Sequence, residues 1–429
     1  FFLLSGAFSS EYFFKREVFC AMLENNDPIK KNEHPLKHIL ILSDGIRGHI
    51  NQSRGVVEWL VRKTGAEVME IEVPELRGGK RLRAKLAALQ LLNGNRRKAR
   101  DWLALADGDA LIREVGQLFS TRNIREGDSA GTLFLSAGSI PAFYNIALGY
   151  IWRCTSATIM TPSVVGTALF DFAIVPQHDC PPLDSNILTT LGSPNGIIRE
   201  ELEEVALVLQ REFPPQRERS WGVLVGGDDA NYRIGRRWVQ RTLGRIFQAA
   251  EREGADLYIA TSRRTSPEAE DAIRQLIAGR SDVRFLLLAS QDPSNPVPGM
   301  LGLCDEIFCT EDSVNMVSEA ITAGHRVVLL RTDRHSGLRA RLQAFSAFLI
   351  DNGLAPRRAL VGIPRFNRVF EEFRKRGYLI EFSEWVKEQW REAPLFGDEE
   401  GSALEGQQVF NEAQRAAYWM LDHWGDRER

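Results

Sequence analysis

From His38 to about residue 352, short apolar runs alternate with stretches of helical spacing, and this alternation leaves the chain few ways to fold. In the first half the runs His38–Leu42, Glu67–Ile71, Thr132–Leu135, Ala157–Met160, Phe172–Val175 and Ile187–Leu191 read as strands. In the second half Trp221–Val225, Asp256–Ala260, Arg284–Leu288, Glu306–Cys309 and Arg326–Leu330 do the same. Between them lie helical stretches such as Asn51–Lys63, Arg81–Asn93, Arg233–Arg252, Pro267–Ala278, Ser313–Ala323 and Gly337–Asn352. Parallel neighbours need long crossovers, so regular βα alternation predicts parallel sheets covered by helices. The Pro-rich, charged segment Phe213 to Arg219 interrupts the pattern and reads as a linker. The expected fold is α/β, with two doubly wound Rossmann-like domains, 38–212 and 220–352, facing across a cleft. Residues 1–37 are expected to form a poorly ordered extension, and 353–429, rich in Trp, Phe and Glu, a helical tail.

Ligands of open α/β sheets bind where strands hand over to helices, because free backbone N–H groups and helix N-termini point there. Two such handovers stand out. After the first strand comes Ser43-Asp44-Gly45-Ile46-Arg47-Gly48-His49-Ile50-Asn51-Gln52-Ser53. Gly45 and Gly48 permit close approach, and His49 falls where the helix begins, where an imidazole suits the role of general base or phosphate ligand. A loop histidine can equally cap or pack, and Asn51 can cap the helix. In the second half Thr310-Glu311-Asp312-Ser313 opens a helix whose dipole favours anions, with Ser318 and Glu319 further in. Glu319 lies nearly two turns from that end, a position that suits ribose hydroxyls better than phosphate. Gly226-Gly227-Asp228-Asp229 follows another strand and can cradle phosphate, although glycines commonly end strands. Arg263 and Arg264 bring two guanidinium groups to the same edge, where they suit a diphosphate or merely a solvated turn. His178 and Asp179, after Phe172–Val175, form a second candidate pair, with interdomain hydrogen bonding as the alternative role.

The composition is that of a soluble globular chain, with 44% hydrophobic and 26% charged residues and a net charge of −3 over 429 residues. Five cysteines (20, 154, 180, 304 and 309) show no CxxC spacing, which argues against a disulfide framework or a zinc site. Asp228-Asp229 and Glu311-Asp312 are acidic pairs without a DxD between apolar strands, so no metal site and no cofactor is expected. No stretch reaches the roughly 18 apolar residues of a membrane span. Phe1 to Phe8 is apolar but lacks a basic leader, so residues 1–21 are expected to be an upstream extension. Residues 77–100 carry nine Lys or Arg and no Asp or Glu, with Leu82, Leu86 and Leu89 on one helical face. Such a helix either lies on an anionic membrane or packs its leucines inward. The basic run is local and lacks interleaved aromatics, which excludes nucleic acid as the expected partner.

These motifs, in this order, together with Pro176-Gln177-His178-Asp179 and Asp292-Pro293-Ser294-Asn295-Pro296, resemble the mitochondrial-fission ELM family, whose bacterial members are described as glycosyltransferases. The resemblance spans roughly residues 38–350. That family in turn resembles GT-B glycosyltransferases, notably the lipid-linked muramyl-peptide N-acetylglucosaminyltransferase. Gly48-His49 matches the end of that enzyme's acceptor-domain glycine loop, and Ser318-Glu319 its ribose-binding pair; Ile46-Arg47 departs from the loop's glycines. The resemblance implies inverting, metal-independent transfer from a nucleotide sugar, UDP being favoured, to a lipid or lipopolysaccharide acceptor. Gly226, Gly227, Arg263 and Arg264 would lie near the diphosphate, Ser313 at the departing phosphate, Glu319 on the ribose, and His49 would act as base. The implied location is cytoplasmic, peripheral at the inner membrane. Two other readings follow from the same kinship: a nucleotide-sugar epimerase, and a non-catalytic adaptor that recruits a dynamin-related protein.

Overall fold

The computed structural model describes residues 34–124, 131–179, 181–229, 231–334, 366–389 and 410–425. The segment expected to be an extension, up to residue 33, and the helix expected over Gly337–Asn352 lie outside the described residues. The described residues form two compact units, one drawn from 34–196 with 411–425 and one from 197–410.

In the first unit six parallel strands, β1 (His38–Ser43), β2 (Glu67–Glu72), β3 (Thr132–Ala137), β4 (Thr155–Ile159), β5 (Phe172–Pro176) and β6 (Ile187–Thr190), lie in the order β2-β1-β3-β4-β5-β6. A strand covered on both faces reads as a continuous apolar run, and β1 shows why. Ile39 and Ile41 pack with Leu133, Leu135 and the helix α1 (Arg47–Thr64), through Val56, Val57 and Leu60. Leu40 and Leu42 point to the other face, toward Phe134 and the helices α2 (Gly78–Ala87), α3 (Arg96–Leu105), α4 (Asp109–Thr121) and α5 (Ser139–Trp152). Helix α1 ends at Gly65 in the left-handed region, φ 70°, where its N–H closes on the Val61 carbonyl at 2.7 Å.

The second unit begins with α6 (Leu202–Glu212), which packs on a later helix, Val297–Leu303. Its main sheet is again parallel, built from β7 (Arg219–Val225), β9 (Ala255–Thr261), β10 (Val283–Leu287), β11 (Glu306–Thr310), β12 (Val327–Leu330) and β14 (Leu379–Glu381). The order is β10-β9-β7-β11-β12-β14, a Rossmann arrangement, and a short antiparallel pair joins β8 (Tyr232–Arg233) to β13 (Asp333–Arg334). The expectation of two doubly wound parallel sheets is met. The segment read as a linker is tied into this second unit. The Tyr258 hydroxyl donates to the Phe213 carbonyl at 2.7 Å, and Arg284 donates to the carbonyl of Pro214 at 2.9 Å. Beyond residue 365 the chain supplies helices Phe366–Lys375 and Phe382–Gln389 with strand β14 between them, then Glu412–Asp422, whose Ala413, Ala416, Ala417 and Met420 pack into the first unit's core.

Candidate active site

In the first sheet the strand order reverses between β1 and β3, so the loops leaving these two strands flank the crevice where ligands of such sheets bind. Gly45 follows β1 with φ +74°, a conformation side chains rarely adopt, and its N–H donates to the Ser43 hydroxyl at 3.1 Å. The helix then starts at Arg47, four residues earlier than the Asn51 position taken as its cap. The N-cap is Ile46, which has no capping side chain. Gly48 and His49 therefore occupy the first helical turn.

The ring of His49 lies against Gly138, the residue after β3. A Cβ on Gly138 would stand 2.5 Å from the ring's Cε1, and Gly138 itself has φ +86°. On its other side the Nδ1 of His49 meets the Asp44 carboxylate at 3.0 and 3.1 Å. Asp44, expected to bind substrate, thus serves as the partner that orients His49. A carboxylate on Nδ1 holds the proton there and leaves Nε2 as the basic nitrogen. The His49 side chain is partly exposed. Gly138 went unnoticed in the sequence; the cue was its place at the end of a buried strand, Ala137-Gly138-Ser139.

His178 and Asp179 do not join this pair. They follow β5, three strand positions from β1, or roughly 14 Å along the sheet edge. The Nε2 of His178 stands 3.7 Å from Asp179, whose other oxygen accepts the Thr161 N–H at 3.5 Å. Burial outweighs that carboxylate and depresses the His178 pKa, so the ring is biased to the neutral form.

In the second sheet the order reverses between β7 and β11, which brings together Gly226-Gly227-Asp228 and Glu311-Asp312-Ser313. Here the expected phosphate cradle is already filled by protein groups. The Gly226 N–H donates to the Thr310 hydroxyl at 2.7 Å, and the Gly227 N–H to Asp312 at 2.9 Å. The buried Asp312 also accepts from Arg264 at 2.8 Å. Burial raises the Asp312 pKa, against the hydrogen bonds from Thr310 and Gly227 and the nearby Arg264 charge. Both glycines are required by contact: a Cβ on Gly226 would overlap the Asp312 carboxylate, and one on Gly227 the Arg264–Thr265 backbone. Asp228 is also structural, since its N–H donates to the Arg264 carbonyl at 3.0 Å and its carboxylate accepts from the Ile234 N–H at 2.7 Å.

Glu311 is buried and accepts from Arg331 at 2.7 Å and from the Thr332 N–H at 2.9 Å. It holds the end of β12 and is not presented to a ligand. Ser313 caps the helix Val314–Thr322 through the Met316 N–H at 3.4 Å, and Ser318 is fully buried within that helix. Two residues remain available. Arg263 is exposed and has no partner among the described residues. Glu319 keeps part of its surface, yet its carboxyl is crowded enough that burial pushes its pKa up to about 7. It too has no hydrogen-bond or ionic partner among the described residues. Among those residues no three His, Cys, Asp or Glu side chains are grouped to hold a metal ion, and no helix is long and apolar enough to cross a membrane.

The family model described as mitochondrial fission ELM1 matches residues 47–424 of the chain. No curated protein matches the sequence. Among solved structures, the UDP-GlcNAc 2-epimerase from Neisseria meningitidis bound to UDP-GlcNAc is similar at 12% identity and a TM-score of 0.43, over 90% of this chain and 99% of that one. A UDP-glucosyltransferase from Polygonum tinctorium that glucosylates indoxyl is similar at 11% identity and a TM-score of 0.41, over 91% and 99% of the two chains.

Proposed function

The chain belongs to the mitochondrial fission ELM1 family, and we propose on that premise that it transfers a sugar from a nucleotide-sugar donor to a lipid or cell-envelope glycan acceptor. The observation that carries the reading is the Asp44–His49 pair, 3.0 Å apart at the strand-order reversal of the first sheet. With Asp44 holding Nδ1–H, the Nε2 of His49 takes the proton from an acceptor hydroxyl as its oxygen attacks the anomeric carbon. The bond from that carbon to the donor phosphate breaks, the configuration inverts, and the nucleoside diphosphate leaves with the electron pair. General-base assistance of this kind contributes about 10²–10⁴ in rate.

The donor is assigned to the second unit. Glu319 accepts hydrogen bonds from the ribose hydroxyls, and Arg263 offers its guanidinium to the diphosphate. Because the Gly226 and Gly227 N–H groups are occupied by Thr310 and Asp312, the leaving group's charge falls to Arg263 and the N-terminus of the Val314–Thr322 helix. This distribution of charge needs no metal ion. UDP is the favoured nucleotide.

Calorimetric titration of UDP, CMP, GDP and their sugar conjugates into the wild type and Glu319→Ala tests the donor side. One nucleotide should bind the wild type and be lost in the variant. Turnover of the donor alone, without an acceptor, would instead identify epimerisation. The filled cradle at Gly226-Gly227 favours one second reading, a recruiting adaptor that keeps these loops only as structure. Absence of nucleotide binding at millimolar concentration would select it.

A further inference from the structure

Helix α2 and the 3-10 turn Ala88–Leu91 that continues it carry two apolar stripes, and only one is packed. At about 100° per residue in the helix and about 120° in the 3-10 turn, Ala84, Ala88 and Leu91 share one side, and Leu82, Leu86 and Leu89 the opposite one. The small stripe is the buried one. It fits under Trp102, whose indole N–H donates to the Ala84 carbonyl at 2.9 Å. The leucines, which sequence spacing allowed to pack inward, face outward: Leu82 is 59% exposed, Leu86 58% and Leu89 51%. Leu92 extends the row at the end of the following turn.

Cations flank this row. Arg77 is paired with Glu75 and Lys80 with Asp107, whereas Arg81, Arg83, Lys85, Arg97 and Arg100 have no ionic partner among the described residues. Acidic side chains do lie on adjoining elements, at Glu75, Asp101, Asp107 and Asp109, but none stands within residues 77–100. An exposed row of leucines bordered by arginine and lysine is the pattern of a helix lying in the plane of an anionic interface. A two-fold contact with a second copy of the chain would set these cations against one another, whereas an anionic surface complements them. We infer that the Leu82–Leu86–Leu89 ridge seats this unit on an anionic phospholipid bilayer, with the leucines at the acyl boundary and Arg81, Arg83 and Lys85 among the head groups.

The placement bears on the acceptor side of the proposed reaction. The segment leading into α2 leaves the same end of the sheet as the Asp44–His49 loop, because β1 and β2 are parallel neighbours. The His49 loop and the segment that leads to the ridge thus share one end of the first sheet.

Vesicle sedimentation tests the ridge, with phosphatidylcholine vesicles containing about a third phosphatidylglycerol compared with phosphatidylcholine alone. The wild type should bind the anionic vesicles, release them at high salt, and ignore the neutral ones. The triple variants Leu82→Ser/Leu86→Ser/Leu89→Ser and Arg81→Glu/Arg83→Glu/Lys85→Glu should each lose about tenfold or more in partitioning. Neither should change the melting temperature greatly, because these side chains lie outside the core. A single Leu86→Trp variant gives an independent readout, a blue shift of its added emission on anionic vesicles alone. Failure of the wild type to bind, variants that bind equally, or an unshifted Leu86→Trp would each overturn the inference. UDP titration of the same samples separates the two readings. Nucleotide binding without vesicle binding removes the ridge and leaves the donor site; vesicle binding without nucleotide binding does the reverse.

Discussion

The carboxylate of Asp312 accepts the N–H of Gly227 at 2.9 Å, which puts a protein anion in the turn where a donor phosphate was expected. Arg264 completes the cluster, and Thr265 locks the turn through a 2.5 Å bond from its hydroxyl to the Gly226 carbonyl. Gly227→Ala meets backbone that cannot give way, and should destabilise the second unit by about 1–3 kcal/mol or more. Asp312→Ala strands the Gly227 N–H and Arg264, with a similar cost of about 1–3 kcal/mol, while the isosteric Asp312→Asn should lose less. Urea denaturation followed by tryptophan emission reads both; wild-type midpoints for Gly227→Ala and Asp312→Ala would contradict this account of the turn.

His49→Ala should abolish transfer and leave nucleotide binding unchanged, since His49 and Glu319 belong to different units. Asp44→Asn keeps the shape of the partner but removes its charge, and should lose part of the 10²–10⁴ expected of a general base, roughly tenfold or more. Gly138→Ala acts through the histidine, by pressing a methyl group against its ring and straining a φ of +86°. Its loss of kcat should therefore approach that of His49→Ala. Wild-type kcat in Gly138→Ala would show that the position of the ring is not critical.

Glu319 sets a pH dependence whose sign can be worked out. Its pKa is about 7 in the folded protein against an ordinary 4.5, so between these values the folded chain keeps a proton that the unfolded chain has released. The contribution to stability is complete below the ordinary value and is lost as pH rises through 7. Glu319→Gln should therefore melt higher than the wild type near pH 8, by the equivalent of about 1–3 kcal/mol, and converge with it near pH 4. Nucleotide binding should move the other way, tightening from about pH 6 to 8 as the carboxylate that accepts the ribose hydroxyls forms. A pH-independent affinity would detach Glu319 from the ribose.

Trp102→Phe removes the N–H that reaches the Ala84 carbonyl. The expected cost is about 1 kcal/mol, and faster hydrogen exchange should be confined to the Gly78–Leu91 region. Uniform change across the first unit would mean that the bond does not govern the ridge locally.

The strands were legible because β1, β3, β7 and β9 are covered on both faces, which forces unbroken apolar runs. The helix start at Arg47 was not. Ile46 is a poor cap by composition, and the polar Asn51 drew the boundary inward although it lies on an exposed face of the helix. Of the α2 region only the leucine stripe was read from the sequence; the opposite stripe of Ala84, Ala88 and Leu91, which is the one that packs, was not, and spacing alone cannot say which side faces in. That choice depends on Trp102, 18 residues from Ala84 in sequence. The same holds for the Gly226-Gly227 turn. Its glycines signalled close approach, but what approaches is Asp312, 85 residues from Gly227, and only the pairing of β7 with β11 brings it there. Conversely Asp44 and His49 are five residues apart, and their pairing was available to a reading that folded the loop back on the helix.

The helix Glu412–Asp422 closes the first unit's core, where Glu412 accepts the Leu191 N–H at 2.8 Å and Arg415 reaches the Thr189 carbonyl. Its partners emerge from the ribosome more than 200 residues earlier, a delay of about 10–40 s at ordinary elongation rates. The first sheet must therefore persist through synthesis of the whole second unit with the face around Ile39, Ile41 and Phe172 incompletely covered. During that interval, chaperone demand and vulnerability to aggregation should be greatest.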